Sequence, residues 1–482
     1  MTAAGAQAPS RQLRASRLPI RVPGRLLRLE LRRSDIVWTL PLLALLLWFT
    51  SSTHQGGVGP WNLRGIRLHQ ALLGVMPFAA GMAAWTGSRD GRRGTIDLVA
   101  VAALPRWAGR LTTWAATTCW AVAAYLVYAG ALYWETEKES AWAGSFWWPV
   151  AVGAVATVAA CALGFVAGAF FPGRFTAALA AVGVFLAITV GMLAGQHSYG
   201  LISPEKSGAL NTGIFYPYLP DVAITQLIFL AGLAAAALGA LGLSAASGGP
   251  WLRRTAAAVT AAGLLAAGTG VGLVGTGHLR INGVVIPAVH DAANDRPLRY
   301  TPACSHSVIP ICVHPAYRNY LPTVTTAVAP VLSQVVGLPG APVRVTQAAT
   351  PASLGTSAST TFSQSPSISG NPPVLQVRLI GPATATGGLI DLVRLEAAIA
   401  IVDAVIGVGQ HGGVAQQAIA VALLKAVGAP LIDEAAPRGT PSPPVYAAAL
   451  RFAALPAATR HAWLATHEAA LRAGRITLKE LP

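Results

Sequence analysis

The chain has 482 residues, of which 54% are hydrophobic and 11% charged, and its mean hydropathy is +0.54. That is too little polar surface to cover a water-soluble globule, so the bulk of the chain belongs in a bilayer. The formal charge of +16 does not mark a nucleic-acid binder, because the arginines punctuate apolar runs instead of lining a polar face; no nucleic-acid partner is expected.

Residues 1–34 form a basic cytoplasmic N-terminus with no short apolar core ahead of a small-residue cleavage site, so no cleavable secretory signal is expected there. Arg21, Arg25, Arg28 and Arg32 recur at intervals of four, three and four, while Val22, Leu26 and Leu29 share another face. This spacing predicts an amphipathic helix lying in the headgroup layer, just before the first span.

Residues 35–277 read as the transmembrane domain. Apolar windows run over Ile36–Thr50, Leu68–Thr86, Leu111–Trp134, Trp147–Phe171, Phe175–Gly195, Val222–Leu243 and Thr255–Gly275. Most approach the roughly 20 residues that a helix needs to cross about 30 Å of hydrocarbon, which predicts seven spans. Pro172-Gly173-Arg174 splits one long run in two, since proline removes a backbone donor and glycine permits a reversal. Lys and Arg then set the orientation. Sixteen arginines fall on one side: the eight from Arg11 to Arg33, five in the segment 87–110, Arg174, Arg253 and Arg254. Only Arg64, Arg67, Lys138 and Lys206 fall on the other, together with Glu135, Glu137, Glu139 and Glu205. The arginine-rich side is therefore expected in the cytoplasm, and an odd number of spans places everything after Gly275 outside the plasma (inner) membrane.

Cysteine usage bears on the same point. Cys119 and Cys161 lie within spans, where a lone thiol serves as a small apolar filler. Cys304 and Cys312 lie in the segment assigned to the outside, where disulfides persist, and a bridge between them would close a short hairpin turning near Pro310. His306 and His314 accompany them, but Cys-x-His-x5-Cys-x-His is not a usual zinc spacing; no metal is expected. The outer portion divides into a disulfide-containing region 278–347 with short β-type stretches and a helix after Pro315, a Ser/Thr/Pro/Ala-rich linker 348–373, and a mostly helical region 374–482. In the last of these "VLQVRLI" reads as a strand. Helical patterns follow over Leu389–Val408, Gly413–Val427, Pro444–Ala454 and Ala457–Ala473, with enough polar residues to favour packed helices over further spans. The expected fold class is thus mainly α: a polytopic membrane protein with about seven transmembrane helices and a C-terminal extracytoplasmic α+β domain.

The cytoplasmic segment 87–110 is the most informative. After its arginines, "GTIDLVAVAALP" predicts a short helix capped by Gly94 or Thr95, with Asp97 in its first turn and Pro105 at its end. Such a helix is too short and apolar to stand free in water, so it should lie against the membrane or in a partner's groove. Arg92-Arg93-Gly94-Thr95-Ile96-Asp97-Leu98, followed by Leu104-Pro105-Arg106-Trp107, resembles the loop between the second and third spans of ABC-2 type transporter permeases. The interfacial helix before the first span and the long outer loop "HSYGLISPEKSGALNTGIFYPYLP" are also similar to that family, over roughly residues 21–245. The resemblance implies that this loop docks on a separate ABC ATPase subunit through a coupling helix, and that a second permease subunit, identical or different, completes the transporter. The chain departs from the family in its seventh span and its outer domain.

No G-x-x-x-x-G-K-[ST] occurs, so this chain offers no P-loop; ATP and Mg would be held by the partner, and no cofactor is expected on the chain itself. Nor is there an HExxH helix or a G-x-S-x-G elbow, so no catalytic residue is assigned. His461 and His467, six apart, do not share a helix face, and His290 with Asp291, or His411, read as polar surface or loop residues. Spans nearly bare of ionisable groups argue against a proton- or sodium-coupled carrier and for export of an apolar or amphipathic substrate. The alternative is an outer binding or enzymatic module for which the spans are only a tether.

Overall fold

The computed structural model describes residues 21–52, 61–94, 106–139, 147–193, 201, 220–244, 249–277, 280–281, 284–285, 287–289, 298–347, 367–369, 371–377, 397, 401, 405, 413–427 and 442–482. These residues are mainly helical. In the first half lie α1 (Arg21–Arg33), α2 (Leu40–Ser52), α3 (Trp61–Gly87), α4 (Arg106–Glu139), α5 (Trp147–Phe170), α6 (Thr176–Leu193), α7 (Pro220–Ser244) and α8 (Pro250–Gly275).

Each of the seven apolar windows holds a helix, but four of the helices among the described residues are both long and apolar enough to cross a membrane: α4, α5, α7 and α8. The others fall short for different reasons. A 3-10 turn over Asp35–Thr39 precedes α2, whose 13 residues span only about 20 Å. α3 has 27 residues but carries Arg64, Arg67, His69 and Gln70 in its first half, and the apolar part of α6 is Thr176–Val190. α5 is the centre of the bundle. Of its apolar window 61% is buried, against 22% for α8, which leaves Leu264 and Leu265 facing outward.

Small residues decide how closely these helices approach. A Cβ on Gly164 or Gly168 of α5 would stand 2.1 Å from the carbonyl oxygen of Ala80 or Ala84 on α3, so the two backbones touch where the side chains are absent. α7 and α8 pair in the same way, with Gly263 set against Ala236 and Gly239 against Thr260. Ala256, Gly263 and Gly270 recur every seven residues on α8, and Gly232 and Gly239 do so on α7, which keeps one small-residue seam facing the other helix. Gly153 makes room for the buried Tyr125 ring, whose hydroxyl donates to the Pro149 carbonyl at 3.3 Å. Cys161 is buried against α3, while Cys119 is exposed on α4.

The second half forms its own core. β1 (Arg280–Ile281) and β2 (Val284–Val285) make a small antiparallel pair. Five further strands, β3 (Ala303–Cys304), β4 (Ile311–Val313), β5 (Arg344–Gln347), β6 (Ser367–Ser369) and β7 (Val374–Val377), form one sheet in the order β3-β4-β5-β7-β6. β4, β5 and β7 run parallel, and β3 and β6 are antiparallel edges. The helix expected after Pro315 starts as a 3-10 segment, Pro315–Tyr320, and becomes α9 over Leu321–Leu332. Val324, Ala327, Val328, Val331 and Leu332 are its buried face, at helical spacing, and belong to one core with Ile311, Val345, Leu375 and Val377. α10 (Val414–Ala426) lies in the same core and is buried nearly all round, with α11 (Pro443–Ala454) and α12 (Ala457–Arg472) packed beside it. The helical pattern at Leu389–Val408 lies outside the described residues except at 397, 401 and 405.

Strands from all three stretches of this half pair with one another. Strand β7 of the helical region sits directly beside β5 of the disulfide region, and β6 comes from within the stretch read as linker. The regions on either side therefore share one sheet and one core.

Candidate functional site

The arginine-rich segment is built where α3 ends. Ser88 donates its backbone N–H to the Ala84 carbonyl at 3.0 Å, which continues the helix. A short helical turn, Arg89–Arg92, follows, and Gly94 ends it in the left-handed region at φ +64, where a side chain would be strained. Arg92 folds back over its own helix. Its guanidinium carbon lies 3.4 Å from the Trp85 ring centroid, and the group donates to the Trp85 carbonyl at 2.9 Å and to Ser88 Oγ at 3.0 Å. Burial and, second, the nearby Arg93 charge hold Arg92 below the usual arginine range, with Asp35 opposing them; it remains a cation.

Two further contacts hold this turn, and a third ties α1 to α4. Arg89 pairs with Glu30 of α1 at 3.4 Å. Trp120 of α4 donates its indole N–H to the Leu31 carbonyl at 2.9 Å, which satisfies an otherwise orphaned acceptor at the end of α1. Gly91 lies against Pro172, close enough that a Cβ there would meet the proline ring at 2.3 Å. The turn is thus tied to the amphipathic helix and to the α5–α6 turn, and the amphipathic helix in its turn to α4.

Of the residues expected to form the coupling loop, Arg92, Arg93, Gly94 and Arg106 are described, with Arg106 opening α4. Thr95, Asp97, Leu104 and Pro105, and with them the expected short helix, lie outside the described residues. The clamp residues Glu30, Trp85, Ser88, Gly91, Trp120 and Pro172 were not singled out as functional from the sequence. One signal was present: Glu30 is the lone acid in an otherwise basic α1.

In the second half the Cys304 and Cys312 sulfurs are bonded to each other, and the two residues stand directly opposite in the β3–β4 pairing. His314 is fully buried and His306 is exposed. The Nδ1 of His314 accepts the Ala316 N–H at 3.1 Å, its own backbone N–H donates to Gln347 Oε1 at 2.9 Å, and the Tyr300 ring lies 4.3 Å away. Burial pulls its pKa down to about 4. His461 bonds the Val336 carbonyl at 2.7 Å, and His467 stacks on Trp463. Among the described residues no cluster of three His, Cys, Asp or Glu exists that would hold a metal. His290, Asp291 and His411 lie outside them.

Comparison with protein-family models, with curated proteins and with solved structures finds no match to this chain.

Proposed function

We propose that this chain is the membrane-spanning permease subunit of an ATP-driven transporter of ABC-2 type. Seven spans, a cytoplasmic N-terminus and an outer C-terminal domain complete the reading. The single observation that carries it is the clamp at the end of α3: Glu30–Arg89 and Gly91–Pro172 join the segment leading into the loop to α1 and to the α5–α6 turn, and Trp120–Leu31 joins α1 to α4. A loop that served only to hold charge on one side would not require such contacts. A push on a loop so anchored is transmitted to α1, α3, α4 and the α5–α6 turn together, which is what a lever between an ATPase and a helix bundle must do.

The ATPase is a separate chain that holds ATP and Mg, and a second permease subunit completes the pore. α5, α6 and the part of α8 after Arg254 carry no Asp, Glu, Lys or Arg, which supports an apolar or amphipathic cargo and an external source of energy. Purification of the particle from native membranes tests this. An ATPase subunit should accompany the chain and be lost from the double variant Asp97→Asn/Arg106→Gln. Retention of the ATPase in that variant would overturn the docking role. Should no ATPase accompany the unmodified chain, the tethered outer module is the reading left standing, and the separate core of the second half favours it.

A further inference from the structure

At the arginine-rich end of the bundle a cleft of about 300 Å³ opens between α4, α7 and α8. Its walls are Trp107 and Leu111 from the first turns of α4, Leu238 and Leu241 from the last turns of α7, and Leu252 and Val259 from the first turns of α8. Leu241 and Ala256 form a buried floor, and Val259, 45% exposed, stands at an open lip. The one hydroxyl in the lining, Thr255 Oγ1, donates to the Leu252 carbonyl at 2.9 Å, so its hydrogen is already used. A polar ligand would find little to bond inside, whereas hydrocarbon would replace empty contact with apolar contact.

The helix turns that frame it carry the opposite chemistry. Arg106 and Arg110 each precede a lining residue of α4 by one position and are half-buried, and the exposed Arg253 and Arg254 fall between the lining residues Leu252 and Thr255. No carboxylate lies on these turns: the first acid of α4 is Glu135, α8 has none, and Asp221 of α7 is at its other end. The lining of α8 runs from Leu252 to Val259, about 3 to 14 Å along its axis, so the cleft reaches from headgroup depth into the hydrocarbon if α8 spans.

We propose that this cleft seats an acyl chain of an anionic phospholipid from the same leaflet, with the headgroup drawn by the positive charge of the arginines on these turns. An apolar slot framed by cationic turns matches a lipid of that charge at both ends. The inference rests on α4, α7 and α8 spanning the membrane and not on any ATPase, so the two readings fail separately.

The full chain, reconstituted without ATPase or nucleotide, is exposed to phosphatidylglycerol or phosphatidylcholine carrying the same photoactivatable acyl chain, at equal mole fraction. Adducts on Trp107–Leu111 and Leu252–Val259 should be several-fold richer with phosphatidylglycerol. The variant Arg253→Gln/Arg254→Gln, changed only at exposed positions, should reduce that excess markedly. Val259→Trp, which fills the lip, should remove adducts at the cleft with both lipids while those on the exposed face of α6 persist. Equal labelling by the two lipids, an undiminished excess in the arginine variant, or cleft labelling that survives Val259→Trp would overturn the proposal.

Discussion

His314 shows how one side chain can hold a junction. It follows β4, its ring accepts the first free N–H of the next helical segment, and its backbone donates to a glutamine of β5. Burial disfavours the cation and pulls the pKa down to about 4, and only the neutral ring can accept at Nδ1. The unfolded chain would titrate near 6.5, so between the two values it binds more protons than the folded one. The contribution of His314 is therefore complete above about pH 6.5 and is lost as the pH falls toward 4. Hydrogen exchange of β4 and α9 at pH 7 and pH 4.5 should show this loss of protection. His314→Asn keeps an acceptor without titrating, so its protection should depend less on pH over the same range.

At the scale of elements, glycine positions separate helix faces that must touch a neighbour from faces that stand open. Gly164 and Gly168 meet carbonyls of α3, and Gly263 meets the backbone of α7, whereas no atom lies within 4 Å of a Cβ built on Gly183 of α6 or Gly268 of α8. Gly164→Ala should therefore cost about 1–3 kcal/mol through overpacking, and Gly183→Ala and Gly268→Ala should leave stability unchanged or slightly raised. Thermal unfolding of the purified variants in detergent measures the contrast. Should the three substitutions behave alike, the close approach of α3 and α5 is not what holds the bundle. The clamp around Arg89 works at this scale too, since it joins elements that are distant in sequence by short polar contacts at one end of the bundle.

At the scale of the molecule, two cores with different solvents are joined in one chain. The first turns Leu264, Leu265 and other large apolar side chains outward, as a bilayer requires, while the second gathers its apolar residues around a mixed sheet. The disulfide bears on where that second core resides. Its loop has a sequence separation of eight residues, so loss of the bond in Cys304→Ser/Cys312→Ser should cost about 2–3 kcal/mol, read as reduced exchange protection in β3 and β4. With the second half outside, a membrane-impermeant maleimide should label Cys304 and Cys312 in intact cells only after reduction. Labelling that requires permeabilised cells would place this half in the cytoplasm and reverse the orientation proposed for the chain.

The membrane character, the positions of the seven apolar helices and the pairing of Cys304 with Cys312 were written in local stretches of the sequence. Hydrophobic runs and the close spacing of two cysteines are local signals, readable without a partner element. Much of the candidate site was legible only as its arginines and glycine. That Glu30 would meet Arg89, that Trp120 would cap α1, and that Gly91 would lie under Pro172 depends on residues far apart in the chain. The same reason hid the shared sheet: β5 and β7 each read as strands alone, but only their parallel pairing joins the regions 278–347 and 374–482 in one fold. Tertiary structure decided these points because contact energy depends on which surfaces meet, and no local window of sequence records that.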